Sequence, residues 1–154
     1  MAYPILKKFN IPATIFLSTD FISRRSWLWS NKLEYILRNT QQKAFSFSLG
    51  DKECHFDVNN FVGWHKTQLE IFNFCAQISN SQKNVILSNL MESLKVNVPD
   101  KTEGDFVPMN WDQINEMEEN GIGFGSHTCS HPIQMRPFIK PKLVTIKGIF
   151  SSSQ

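Results

Sequence analysis

His127 and His131 stand in Ser126-His127-Thr128-Cys129-Ser130-His131-Pro132, the one stretch where side chains capable of chemistry concentrate. Neutral imidazole is the commonest nitrogen ligand of zinc and related ions, and two rings at this spacing can converge on one cation. The same spacing also suits two hydrogen-bonded surface histidines, and the pair alone does not choose between these readings. A thiolate from Cys129 would give a third alternative, a small zinc-binding interaction module of His127, Cys129 and His131.

Other reactive side chains are scattered. His55 and His65 have no ligand-spaced neighbour and read as surface residues. Asp20, Asp105 and Asp112 are the acids available to complete a metal site, but no spacing recommends them, and Asp112 suits the first turn of a helix. Trp27, Trp29, Trp64 and Trp111 could stack on sugar rings, yet Trp29 and Trp64 fall in helical apolar stripes, which makes core packing or lid contacts the simpler role.

The elements around the histidines follow an α/β pattern. Tyr3 to Phe9 predicts one or two helical turns, and the run Ala13-Thr14-Ile15-Phe16-Leu17-Ser18 predicts a strand buried on both faces. Trp29, Leu33, Ile36 and Leu37 recur at helical spacing. Alternation through Phe45, Phe47 and Leu49, a turn at Gly50-Asp51-Lys52, and renewed alternation through Cys54, Phe56 and Val58 predict a hairpin. Two helices should follow, one with Phe61, Trp64, Leu69, Phe72, Cys75 and Ile78 inward, the other with Val85, Ile86, Leu87, Leu90 and Leu94 inward. Asn97 to Phe106 has the composition of a loop. Asn110 with Gln113 three residues on forms a capping box, and Asn120-Gly121 ends that helix. Ile122-Gly123-Phe124-Gly125 is then a strand running straight into His127, and Pro132 keeps His131 out of the α conformation, so both histidines belong to a strand-end loop.

Composition narrows the partners. The 154 residues, 41% hydrophobic and 12% aromatic, suffice for a core, and a formal charge of +2 gives no footprint for nucleic acid or an anionic membrane. Cys54, Cys75 and Cys129 are odd in number and lack C-x-x-C spacing, which suits free thiols. No uninterrupted apolar run has spanning length, and Lys7 and Lys8 follow the short apolar start, so the chain as given is expected to be soluble and cytoplasmic.

The chain resembles the polysaccharide deacetylase family, carbohydrate esterase family 4, also called the NodB-homology domain. Its second motif, H-[S/T]-x-x-H, is matched by His127-Thr128-Cys129-Ser130-His131. The segment from Ala2-Tyr3-Pro4 through Ile15-Phe16-Leu17 is similar to the family's first helix and second strand, and Met109-Asn110-Trp111-Asp112-Gln113-Ile114 through Gly125-Ser126-His127 to its run into that motif. Trp27 to Leu37 is similar to an insertion in a subset of the family, so the resemblance covers roughly residues 2 to 132.

The resemblance implies a partial distorted (β/α) barrel carrying an inserted β-hairpin and two helices: a domain over 1–132, interrupted at about 24–105, and a divergent tail over 133–154. It implies metal-dependent removal of N- or O-acetyl groups from a polysaccharide, oligosaccharide or cell-envelope glycan. His127 and His131 would hold a divalent ion, zinc or cobalt, with Thr128 and Ser130 orienting the loop behind them. The family's base and its third ligand come from a Thr-Phe-Asp-Asp-Gly-like motif that should lie before Ala2, and its Arg-Pro-Pro-Tyr-like and Leu-x-His-like motifs should follow Pro132. None of these is found in residues 1 to 154, so no catalytic base or acid is assigned. The expectation is a gene product truncated at both ends, with a frameshift near Gln134 and doubtful activity on its own. The alternative is an inactive remnant that binds glycan or protein.

Overall fold

The structure is a computed structural model and describes residues 2–128. The chain divides into two compact units, residues 24–107 and the segments on either side of it.

The unit containing residues 2–23 and 108–128 is built on a parallel strand pair. Helix α1 (Tyr3–Lys8) admits Pro4 because its missing N–H falls in the first turn. Strand β1 (Ala13–Leu17) leads into a single helical turn, α2 (Thr19–Ile22). Helix α6 (Trp111–Glu119) then precedes strand β4 (Ile122–Ser126). The start of α6 is fixed as expected: Asn110 accepts from the Gln113 N–H, and the Gln113 side chain accepts from the Asn110 N–H. β1 and β4 pair in parallel, with Thr14 opposite Gly123, Phe16 opposite Gly125 and Leu17 opposite Ser126.

One face of this pair is packed. Leu17, Ile22 and Ile114 are buried together, with Ile15, Met109 and Phe124 against them. The other face is open: Thr14 is exposed, and Phe16 leaves 62% of its surface to solvent. This corrects the expectation of a strand buried on both faces. An apolar run of β-branched and aromatic residues looks the same whether one side or both are covered, and here α2 and α6 line only one. The α2 turn had no signal in the sequence, being too short for a period.

The 24–107 unit holds helix α3 (Trp29–Asn39), the hairpin β2 (Ala44–Leu49) and β3 (Lys52–Asp57), and helices α4 (Phe61–Cys75) and α5 (Asn80–Leu94). The hairpin register places Leu49 opposite Lys52, and Gly50 takes φ 64°, the sign required at the first position of a type II′ turn. α3 packs on α4 and α5, α4 on β3, and α5 on β2. The core comprises Leu33, Ile36 and Leu37 of α3, Ile71 and Cys75 of α4, Leu87, Leu90 and Leu94 of α5, and Phe45, Leu49, Cys54 and Phe56 of the hairpin.

The inward faces of α4 and α5 differ from expectation. α4 buries Thr67, Ile71 and Cys75, whereas Phe61, Leu69 and Phe72 are exposed. The spacing Thr67, Ile71, Cys75 is a clean i, i+4, i+8 row, hidden in the sequence because α4 is apolar on several sides. α5 buries Lys83 with Leu87, Leu90 and Leu94, and leaves Val85 exposed. Lys83 retains 1% of its surface, with its ammonium 4.6 Å from the centre of the Trp29 ring and donating to Asn80 Oδ1 at 3.2 Å. Cation–π attraction and this hydrogen bond offset part of the desolvation. Burial lowers the Lys83 pKa from 10.5, against a smaller upward influence of Cys75.

Residues 97–106 form the expected surface connection, with a 3-10 turn at Gly104–Phe106. Among the described residues the strands make two two-stranded sheets and no closed barrel, and no helix is long and apolar enough to cross a membrane.

Candidate functional site

His127 is the first residue past β4, and backbone hydrogen bonds weld it to the end of β1. The His127 N–H donates to the Leu17 carbonyl at 2.8 Å, and the Ser18 hydroxyl donates to the His127 carbonyl at 3.2 Å. One residue later the Thr19 N–H donates to the Thr128 carbonyl at 3.3 Å. The chain turns there, because Thr128 takes φ 65°. A β-branched residue avoids the left-handed region, at a cost of about 1–3 kcal/mol, so this bend is held by its surroundings rather than preferred locally.

Strand alternation decides where the imidazole lies. Gly123, Gly125 and His127 share one face of β4, the face that Thr14 and Phe16 occupy on β1. A Cβ on residue 123 would lie 3.1 Å from Thr14 Oγ1, and one on residue 125 would lie 2.8 Å from the Phe16 ring. Glycine at 125 makes room for the Phe16 ring, whose centre lies 6.5 Å from that of His127 in an edge arrangement. The packed face, with Ile114 and Ile22, is on the opposite side. An exposed imidazole at the carboxyl end of two parallel strands, on the side away from the helices, occupies the kind of place where α/β enzymes put their sites.

His131, Ser130 and Cys129 lie outside the described residues. Of the proposed site residues, His127 and Thr128 are therefore the two whose placement is described. Among the described residues no three His, Cys, Asp or Glu side chains converge as a metal-holding group. Asp20 and Asp112 occupy the first turns of α2 and α6, and Asp105 pairs with Arg38 at 3.5 Å in the other unit. His55 is an exposed strand residue bonded to Ser46 Oγ at 2.6 Å, and His65 is exposed on α4, as their sequence contexts suggested.

A family model described as polysaccharide deacetylase matches residues 1–143. The chain belongs to the polysaccharide deacetylase family. The match continues past Pro132, where the resemblance read from the motifs ended. No curated protein and no solved structure matches the chain significantly. Polysaccharide deacetylases are hydrolases of acetylated carbohydrate and generally use a divalent metal. An exposed imidazole on a firmly bonded strand end is chemically suited to such an ion as one of its ligands.

The supporting residues Phe16, Ser18, Gly123 and Gly125 were not singled out in the sequence. The alternating glycines before His127 were the available signal, since glycine at i−2 and i−4 means that something must approach that face closely.

Proposed function

We propose that this chain is a deacetylase domain for N- or O-acetylated polysaccharide, oligosaccharide or cell-envelope glycan, with His127 and His131 as ligands of a divalent ion, zinc or cobalt. The observation that carries the reading is the position of His127: at the joint carboxyl end of β1 and β4, on the open face, in a chain that belongs to the deacetylase family. The strand pair is then a portion of the family's distorted barrel, with the open face turned to the barrel's interior and residues of about 24–105 inserted after α2.

When bound, the ion supplies Lewis-acid polarisation of the acetyl carbonyl and a water acidic enough to attack it. The chain's own residues fix the geometry. The Leu17 carbonyl and the Ser18 hydroxyl hold both backbone polar groups of His127, which limits the directions its ring can take. Phe16 stands edge-on beside the ring, in the room that Gly125 leaves. The chain bends at Thr128, and Thr128 and Ser130 serve as supports of the ligand loop.

The test is metal content of the purified chain, together with acetate release from an acetylated chito-oligosaccharide in the presence of zinc or cobalt. Substoichiometric metal and slow turnover are expected, because no three His, Cys, Asp or Glu side chains converge among the described residues. Both should vanish in His127→Ala. Metal binding that is indifferent to His127→Ala and to His131→Ala would falsify the assignment.

A further inference from the structure

The 24–107 unit carries an open groove of about 450 Å³ between the end of α3, the residues before β2 and the start of α4. Its size lies within the span of about 300–1,000 Å³ common to small-ligand sites. Its lining combines two kinds of group. Phe61 and Trp64 contribute aromatic faces, inclined by 25° with centres 6.5 Å apart, and Phe61 leaves 77% of its surface in solvent. Arg38, Gln42, Asn59 and Asn60 surround them with a guanidinium and three amides.

Several of these groups are fixed in place without being used up. The Arg38 guanidinium carbon stands 5.9 Å from the centre of the Trp64 ring while the side chain is paired with Glu34 and Asp105. Gln42 Nε2 donates to the Ser93 carbonyl, and Asn60 Oδ1 accepts from the Gly63 N–H at the cap of α4. The Asn59 side-chain amide makes no hydrogen bond among the described residues. The indole N–H of Trp64 is covered from solvent with no acceptor among them either. Polar satisfaction and apolar burial are the usual local rules, and departures from them concentrate where a surface has work other than stability. A solvent-facing phenyl ring, a covered indole N–H without an acceptor and an unengaged amide all line or adjoin this one groove.

We infer that this groove is a second carbohydrate-binding site, a docking place for a pyranose of the polysaccharide, separate from the residues that would perform deacetylation. The chemistry favours a sugar over other small ligands. A pyranose presents an apolar C–H face that stacks on an aromatic ring, and a rim of hydroxyls that both donate and accept, which amides match on both counts. The cation at Arg38 is already neutralised by two carboxylates, so a phosphate or other anion gains little there. The inference rests on the deacetylase reading for its ligand class and not for its site.

Chitotetraose titrated into the full chain, followed by tryptophan fluorescence and calorimetry, tests it. Binding should be weakened about tenfold in Phe61→Ala, a value set by loss of one stacking face. Asn59→Ala, an exposed position outside any helix or strand, should weaken it several-fold. Chitotetraose affinity that is unchanged in both Phe61→Ala and Asn59→Ala, or absent from the parent chain, overturns the inference. Loss of binding in His127→Ala alone also overturns it, by placing the sugar at the strand end. Acetate release is scored separately: a chain that binds through Phe61 but releases no acetate keeps this site and removes the deacetylase reading.

Discussion

Phe16 lies across Gly125 so closely that a Cβ on residue 125 would meet two of its ring carbons at 2.8 Å. Alanine there restricts the unfolded chain, a gain of about 0.4–1 kcal/mol, but the overlap costs about 1–3 kcal/mol unless the ring moves. Gly125→Ala should therefore destabilise the chain. The double variant Phe16→Ala/Gly125→Ala should be more stable than the sum of the singles by about 1 kcal/mol, because the overlap is gone. Urea denaturation of the four proteins measures this coupling, and strict additivity would show that the ring has room to swing aside.

Ser18 donates to the carbonyl of His127 from 109 positions away in the chain. Ser18→Ala removes the hydroxyl and leaves a partly buried carbonyl with a missing partner, at about 1 kcal/mol. The local consequence is the more telling one. Hydrogen exchange at the His127 amide, bonded to the Leu17 carbonyl, should speed up, and any metal affinity should fall. An unaltered exchange rate would mean that the backbone bonds alone hold the strand end.

Burial pushes the Cys75 thiol from 9.0 up to about 11, with Lys83 pulling slightly the other way. A raised folded-state pKa gives stability that is fully present below pH 9.0 and is lost as pH climbs through about 11. Lys83, whose pKa burial lowers, acts in the opposite sense: its unfolded form holds the proton more tightly, so its contribution grows with pH up to 10.5. Stability measured from pH 8.5 to 11 should fall more steeply in Lys83→Met than in the parent chain, and less steeply in Cys75→Ala. Equal slopes in all three proteins would contradict the burial of this pair.

Asn110 opens α6, and α6 delivers Ile114 to the core shared with Leu17 and Ile22. Asn110→Ala unmakes one half of the reciprocal cap and should cost about 1 kcal/mol. Asn110→Ser, which can accept the same Gln113 N–H, should recover most of it. A serine variant no better than alanine would assign the effect to something other than the cap.

What could be read directly from the residues was whatever repeats within a few positions. The Asn110/Gln113 cap, the hairpin through Gly50 and the stripe of Trp29, Leu33, Ile36 and Leu37 all carry local signals, and all three stand where expected. His127 was legible as a strand-end residue for the same reason. The side of the strand it occupies was not, because Gly123 and Gly125 have no side chains with which to write an alternation. The inward row of α4 was obscured by surplus apolar residues, Phe61 and Leu69 among them, that face solvent. Lys83 was passed over because a lysine stem covered by neighbours has the same letter as one in water. The pairing of β1 with β4 joins residues too distant for any local pattern to announce it.

That distant pairing has a kinetic consequence. Everything between α2 and α6 must be gathered before Leu17 can meet Ser126, and closing so long a loop of unfolded chain is slow. Prior collapse of residues 24–107 into their own core brings their two ends under control and shortens the effective loop. The imidazole is consequently assembled late. A lesion deep in the helical excursion, touching no residue near His127, would leave newly made chains waiting with β1 and β4 apart, and exposed to aggregation through those unpaired edges.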